Sequence, residues 1–434
     1  MQEKIGIHTD IACKEVSYIF HQVFTDWLGM GWSYTDSSGL DSGQYAFTIS
    51  YAKEPNGQAD LCLGRSDWSF NEAEWMNSPL IADAGLVGFK KVMQGALGFD
   101  MFSTLFFTLT RKEETFISED WDRHGRFSYE HSLLESQNLL DRPFLEEYIH
   151  FLIAQLTKKG IEIIARQPRH VLTMDLDFAF QWYARPILLV WASLIKSPSL
   201  YPGWQTLRAI RKGQKQDPYD VMEMVHQWAE AQGIGLRIFI PVGRRSRMDR
   251  HVDPSNKTFT AWLQQWSEVV DFGLHPTYAL GSWESPRRWE VLASEIEHFE
   301  DLTNQPCHHV RMHYLRCRPH EDYPKFSSLG IQNDWSMGYG DRPGFRAGIS
   351  RPYRFFEEDK PFDKLLRIHP LPVMDSTFVH HMASNGLEDW RQRMGAYLSH
   401  AENLAYPLVF NLHNNLIADH NEFWTAFKKS LENV

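Results

Sequence analysis

From Val171 to the C-terminus, short apolar runs of strand length alternate with longer segments of helical period, a pattern that restricts this region to a parallel sheet built from βα units. The runs are Val171 to Leu176, Leu236 to Ile240, Val269 to Leu274, Val310 to Met312 and Leu408 to Leu412. Between them, DPYDVMEMVHQW puts Val221, Met224, Val225 and Trp228 on one face of a helix. The segment RRWEVLASEIEHF does the same for Leu292, Ile296 and Phe299. Periodicity alone leaves a closed barrel, an irregular barrel and an open doubly wound sheet all compatible with these runs.

Upstream the pattern changes. Within Lys14 to Trp27 the residues Val16, Ile19, Phe20, Val23, Phe24 and Trp27 share a helical face, and Tyr45 to Tyr51 reads as a short strand. An apolar block, GFDMFSTLFFTLTR, leads into the charged stretch KEETFISEDWDRHGRFSYEHS, and Asp141-Arg142-Pro143 then starts a helix that runs through Tyr148 and Leu152. A chain of 434 residues is long for one core, so two domains are expected: a mixed α/β domain over 1–159 and a βα domain over 160–434.

Composition narrows the partners. The net charge of -11 comes from 55 acidic against 44 basic residues spread along the chain, which argues against a surface that tracks nucleic-acid phosphates. No apolar stretch is long enough to span a bilayer, and the opening MQEKIGIHTDIACKEVSYIF lacks a basic segment followed by an apolar run, so a cytoplasmic protein is expected. Cys13, Cys62, Cys307 and Cys317 form neither a CxxC pair nor a disulfide framework and read as reduced thiols.

The chemistry-bearing residues stand where the runs end. Asp175 and Asp177 close VLTMDLD two positions apart, so a strand's period of two points both carboxylates to one side. His275 follows VVDFGL, His313 follows VRM, and His413 follows LVFNL. Any one of these has an ordinary explanation, as a turn cap or a hydrogen-bonded structural histidine. Together they supply what a hydrolytic metal site needs at the C-terminal ends of parallel strands: carboxylate and imidazole donors around an open coordination position.

These residues carry a resemblance. The segments TMDLDFAF, GLHPTY, VRMHYLR, DWSMGYGDRPGFRAG, IHPLPVMDSTF and the terminal LHNN resemble the NodB-homology polysaccharide deacetylases. The stretches GFDMFSTLFFTLTRKEETF and DRHGRFSYEHS resemble a domain of unknown role that precedes the barrel in one bacterial branch, so the likeness covers nearly the whole chain. It implies an irregular (β/α) barrel behind a mixed α/β N-terminal domain, and metal-dependent deacetylation of an N-acetylated, or O-acetylated, sugar. A divalent ion, zinc by preference, is the implied cofactor, and an acetylated glycan is the implied partner.

Carried over position by position, the resemblance makes Asp175 the base, Asp177 a metal ligand, His275 the first metal-binding histidine and His413 the general acid. It makes Arg311 the residue that orients the base, and Tyr314 the donor of a backbone N–H to an oxyanion. Trp335, Tyr339 and Arg346 belong to a Gly-rich segment that reads equally as a tight loop or as a mobile loop over the strand ends that binds sugar, and His369 ends a further apolar run, where a structural role is the leading reading and contact with the site or substrate the other. The basic stretch Gly243 to His251 reads as a solvated loop able to steer an anionic glycan, and His308 and His309 as residues flanking a strand.

One position departs from the family. The second motif usually supplies another histidine four residues after the first, and here that residue is Ala279. His313, where the third motif usually has proline, is the candidate for the missing ligand; the alternative is that water fills the position. Two other functions remain open: a catalytically silent carbohydrate-binding scaffold, for which Ala279 speaks, and a glycoside hydrolase using Asp175 and Asp177. The second fits poorly, because carboxylates that cleave a glycosidic bond sit roughly 5 to 9 Å apart across the sugar.

Overall fold

In the computed structural model the described residues are 4–116, 121–163, 169–183, 204–280, 285, 287–382 and 386–432. The first part holds a parallel sheet of four strands in the order β2-β1-β3-β4, with β1 at Lys4–Thr9, β2 at Gly31–Tyr34, β3 at Phe47–Ala52 and β4 at Leu61–Gly64. The amphipathic segment after β1 is helical as its spacing predicts, Lys14–Phe20 continuing into the wider π-type turns of His21–Trp27. The apolar block becomes the helix Met101–Leu109, all nine residues of which are buried, with the Asp100 carboxylate accepting from the Ser103 N–H at its start. Two short antiparallel strands, β5 (Ile81–Asp83) and β6 (Leu86–Gly88), and the helix Phe144–Lys158 complete this part.

Among the described residues the second part is one sheet of nine strands. These are β7 (Val171–Asp175), β8 (Gly235–Ile240), β9 (Phe272–Leu274), β10 (His309–Val310), β11 (Asn333–Met337), β12 (Tyr353–Arg354), β13 (Arg367–Pro370), β14 (Val373–Met374) and β15 (Val409–His413). Their order is β12-β13-β11-β10-β9-β8-β7-β15-β14, parallel throughout except for β12. Only Leu371 and Pro372 separate β13, near one edge, from β14 at the other edge. Two residues cannot bridge the width of a flat nine-stranded sheet, so the sheet curls until its edges nearly meet. It is an irregular barrel with a seam beside β14.

Strand parity separates inside from outside. Leu172, Met174, Ile238, Ile240, Phe272, Leu274, Phe410 and Leu412 pack into the main core beneath the helices. Their alternates Phe239, Trp335 and Val409, with Leu315, Leu371 and Met374, form a separate cluster drawn from strands all round the sheet, which is the barrel interior. Gly273 belongs to this inner set: a Cβ there would lie 2.4 Å from the Phe239 ring, so only glycine lets that ring fill the barrel. Small details shift. The third strand starts at Phe272, leaving Val269 59% exposed, and the helix Met222–Ala231 buries Met222, Val225 and Ala229, not Met224.

Of the two readings of the Gly-rich segment, the mobile cover is corrected. It does not lie loose over the strand ends: residues 334–337 belong to β11, and Trp335, Tyr339 and Arg346 are buried. Trp335 stacks face to face on His369, ring centroids 3.7 Å apart, and the Arg237 guanidinium also lies over the Trp335 ring, so the indole is engaged by the protein's own groups. Arg346 makes a double hydrogen bond to Glu114 at 2.9 and 2.7 Å, and Arg111 reaches the same carboxylate at 2.8 Å. The guanidinium of Arg346 also lies over the Tyr339 ring. Burial alone would push the Glu114 carboxyl up; the two guanidinium groups outweigh it and hold the pKa below the usual value. These charges join the N-terminal part to the barrel. Arg346→Ala leaves a buried network short of one charge, and we expect a loss of about 3–5 kcal/mol, read as a lower denaturant midpoint; unchanged stability would remove the network from the fold's supports.

Candidate metal centre and active site

Three of the strand-end residues meet. Asp177 lies two residues beyond β7, His275 directly follows β9, and His313 opens the short turn His313–Leu315 after β10. Asp177 Oδ1 stands 3.5 Å from His275 Nε2 and 3.6 Å from His313 Nε2, and one donor atom from each residue falls within 4.8 Å of the others.

Each ring is turned by its other nitrogen. His275 Nδ1 lies 2.7 Å from the Arg311 carbonyl, which can only accept, so the proton sits on Nδ1 and Nε2 presents a lone pair. His313 Nδ1 lies 3.0 Å from Asp249 Oδ1, with the same consequence. Asp177 Oδ1 is buried and has no hydrogen bond among the described residues. A carboxylate oxygen without a donor, facing two imidazole lone pairs, is a costly arrangement unless a cation lies between them. Asp177, His275 and His313 can therefore hold a metal ion, with the fourth position open to the cavity.

The electrostatics agree. Burial opposes ionisation of Asp177, and the imidazoles of His313, His275 and His413 outweigh it, holding this carboxyl well below the carboxylate range. For His275, burial works against protonation and the carboxylates of Asp175 and Asp177 overcome it, raising its pKa. The two shifts are one mutual attraction seen from each side: protonated imidazoles favour the Asp177 carboxylate, and the carboxylates favour positive charge at His275.

Beside this trio lie two further assemblies. Asp175, buried at the top of β7, accepts from Arg311 Nη1 at 3.2 Å and from Asn411 Nδ2 at 2.8 Å, while Thr173 donates to Asn411 Oδ1 at 2.9 Å. Arg311 is fixed by the Trp335 carbonyl at 3.1 Å and by the Phe239 ring beneath it. His413, at the end of β15, is gripped by Asp375: its backbone N–H donates to Oδ2 at 2.8 Å and Nδ1 lies 2.6 Å from Oδ1. That leaves His413 Nε2 directed inward, 3.9 Å from Asp175 Oδ2. Burial lowers the His413 pKa, but Asp375, Asp177 and Asp175 raise it to about 9, so the ring carries a proton it could give away. A cation at Asp177 would cancel part of that attraction and bring the value down.

A cavity of about 280 Å³ is lined by Asp175, Asp177, His275, His313, Tyr314 and His413, so six of the expected site residues share one space with Arg311 behind them. Tyr314 has φ 59° and Leu315 φ 53°, two successive non-glycine residues in the left-handed region beside His313. The remaining expected residues lie elsewhere: Trp335, Tyr339 and Arg346 are buried, His369 is half-buried against the Trp335 ring, and none of the four lines this cavity.

Sequence reasoning missed Asp249, Asp375 and Asn411. Asn411 precedes His413 by two and shares its parity, and Asp375 closes the apolar pair of β14, so both bore the strand-end signal. Asp249 gave none. It lies in the basic stretch read as a solvated loop, yet Asp249 is 1% exposed and accepts from the Tyr278 N–H at 2.6 Å. His251 is buried as well, its pKa lowered to about 4 by desolvation.

A family model described as a family of unknown function, DUF7033, matches residues 5–161. No curated protein matches the chain. Among solved structures, a Mycobacterium smegmatis protein assigned as a polysaccharide deacetylase is similar at 12% identity and a TM-score of 0.40, covering 62% of this chain and 84% of that one. Puue allantoinase is similar at 14% identity and a TM-score of 0.38, covering 62% and 85%. A Pseudomonas aeruginosa PAO1 protein, also assigned as a polysaccharide deacetylase, is similar at 13% identity and a TM-score of 0.37, covering 62% and 84%. No helix among the described residues is long and apolar enough to cross a membrane.

The geometry orders the metal-binding variants. Asp177→Ala and His313→Ala should each abolish firm binding in a competitive metal titration, whereas Asp249→Asn, which only loosens the His313 ring, should weaken it roughly 10- to 100-fold. Retention of wild-type affinity by His313→Ala would remove His313 from the ligand set.

Proposed function

We propose that this protein is a metal-dependent hydrolase that removes the acetyl group from an N-acetylated sugar or glycan, with an O-acetyl ester as the lesser alternative. The observation that carries the reading is one cavity holding a carboxylate–histidine–histidine donor set, a separate carboxylate tied to an arginine, and a histidine tied to a second carboxylate. Two imidazoles and one carboxylate with an open position suit zinc, and when bound such an ion supplies Lewis acidity and a water of lowered pKa.

The chain's own groups supply the proton transfers. Asp175 is the base: Arg311 and Asn411 each take one oxygen's lone pair and fix the plane of its carboxylate, so its remaining lone pairs face the cavity and accept the proton of the attacking water. His413 is the acid, with Asp375 holding Nδ1 so that the Nε2 proton points at the position a leaving nitrogen occupies. Roles divided in this way explain why the two aspartates, two positions apart, have different partners. The Tyr314 N–H belongs to the same reading as a donor to the developing oxyanion, presented by a left-handed turn. The division into an N-terminal part over 1–159 and a barrel over 160–434 is part of the proposal.

Against a silent scaffold stands the buried, hydrogen-bond-free oxygen of Asp177, an arrangement that binding a sugar does not require. Against a glycoside hydrolase stands the engagement of Asp175 by Arg311 and Asn411 and of Asp177 by the imidazoles, which leaves no carboxyl pair straddling a sugar.

The test is acetate release from N-acetylglucosamine oligomers by metal-loaded protein, with loss on chelation and recovery on adding zinc. Asp175→Asn should keep the metal and slow turnover roughly 10²- to 10⁴-fold. Release of a reducing end instead of acetate, or loss of metal together with activity in Asp175→Asn, would reject the assignment of roles.

A further inference from the structure

One short piece of the region matched by the unknown-function family reaches the candidate site. Trp121 and Phe127 pair across an antiparallel bridge, and the hairpin between them is closed by Asp122, whose Oδ1 accepts from the backbone N–H groups of His124 and Arg126 at 2.9 Å each. Asp122 Oδ2 accepts from Arg126 Nε at 2.7 Å, which aims the guanidinium away from the hairpin. Its Nη1 donates to the Tyr314 carbonyl at 2.9 Å. The His124 ring stacks on the Tyr314 ring with centroids 5.1 Å apart, and His124 Nδ1 lies 3.1 Å from the Tyr278 hydroxyl.

The barrel answers in kind. Arg316 donates to the His124 carbonyl at 3.0 Å and to the Tyr278 carbonyl at 2.9 Å, and Arg318 to the Gly125 carbonyl at 3.3 Å. The hairpin is thereby laced to the two turns that follow His313 and His275. The first of these is the strained one: Tyr314 and Leu315 both lie in the left-handed region, which non-glycine residues keep only where neighbours over-determine it. A third element makes room for the lacing, because a Cβ on Gly340 would lie 2.1 Å from Arg126 Nη1. Arg123, His124 and Arg126 also line the cavity that holds Asp175 and Asp177.

We infer that the hairpin Trp121–Phe127 is a working part of the metal centre and substrate cavity, in which Arg126 is a positioning residue that fixes the turn presenting His313 and His124 is a wall of the cavity. The inference rests on the metal-centre reading above. It gives the N-terminal region a role: without it the barrel would keep its ligands but lose the contacts that hold the third one in place.

The experiment uses the full chain, with zinc titrated against a chromophoric chelator. Arg126→Gln should raise the zinc dissociation constant roughly tenfold, the size of effect expected for a partner that acts through a ligand. Arg126→Lys, which can still donate to the Tyr314 carbonyl, should recover part of the affinity. Gly340→Ala, which displaces the guanidinium without removing its charge, should reproduce the loss by an independent route and keeps the inference testable if Arg126→Gln does not fold. His124→Ala should raise KM for the acetylated sugar more than it lowers kcat. Wild-type affinity in both Arg126→Gln and Gly340→Ala overturns the inference. So does a lowered denaturant midpoint with no change in zinc affinity, which assigns Arg126 a purely structural role. A wild-type chain that binds no zinc or other divalent ion rejects the metal centre itself, and this outcome is distinct from both.

Discussion

Everything at the site depends on strand parity in a curled parallel sheet. Successive inward side chains on a strand are two residues apart, so Thr173 and Asp175 on β7 and Asn411 and His413 on β15 form matching inward pairs, locked by Thr173 to Asn411 and Asn411 to Asp175. The register of β7 against β15 sets His413 opposite Asp175. A slip of one residue would turn both pairs under the helices and replace them with Met174 and Leu412, which are buried in the outer core. Registering the sheet and assembling the site are one event.

Orientation comes from a second layer of acceptors. His275, His313 and His413 each offer one nitrogen to the cavity because the other is occupied, by the Arg311 carbonyl for His275, by Asp249 for His313 and by Asp375 for His413. The same layer divides the labour. At His275 the partner is a carbonyl that accepts from Nδ1–H, whereas at His413 it is a carboxylate that, with Asp177 and Asp175 near it, raises the pKa and favours a ring that keeps its proton. Asp249 is itself held by the Tyr278 N–H, so the turn after His275 and the ring of His313 are coupled through one carboxylate.

The N-terminal part meets the barrel through charge as well as apolar contact. Arg111, Glu114 and Arg346 form a buried cluster beneath the segment that follows β11, and Glu146 takes the backbone N–H groups of Ser350 and Arg351 a little further along. Buried ions need partners in a defined geometry, so this interface has little freedom to slide. A fixed interface is also what allows the hairpin Trp121–Phe127 to reach Tyr314 reproducibly.

The sequence by itself determined the parallel βα architecture and the placement of Asp175, Asp177, His275, His313 and His413 at strand ends, because both follow from local period and from where apolar runs stop. It did not determine which of these residues face one another across the cavity, since that depends on distances between strands that are far apart in the chain. Asp249 lies 64 residues before His313 and Asp375 lies 38 before His413, and although Asp375 stands at a strand end, nothing local pairs either carboxylate with its histidine. The Gly-rich segment misled for a related reason. Glycines that suggest a mobile loop are there for close approach, as at Gly338, where a Cβ would fall 2.4 Å from the Leu371 carbonyl, and the chain around them is buried. Tertiary structure alone decided that Trp335 and His369 fill the barrel, that Arg346 joins its two parts, and that residues from the N-terminal region line the cavity, because each depends on contacts that exist only once the sheet has curled.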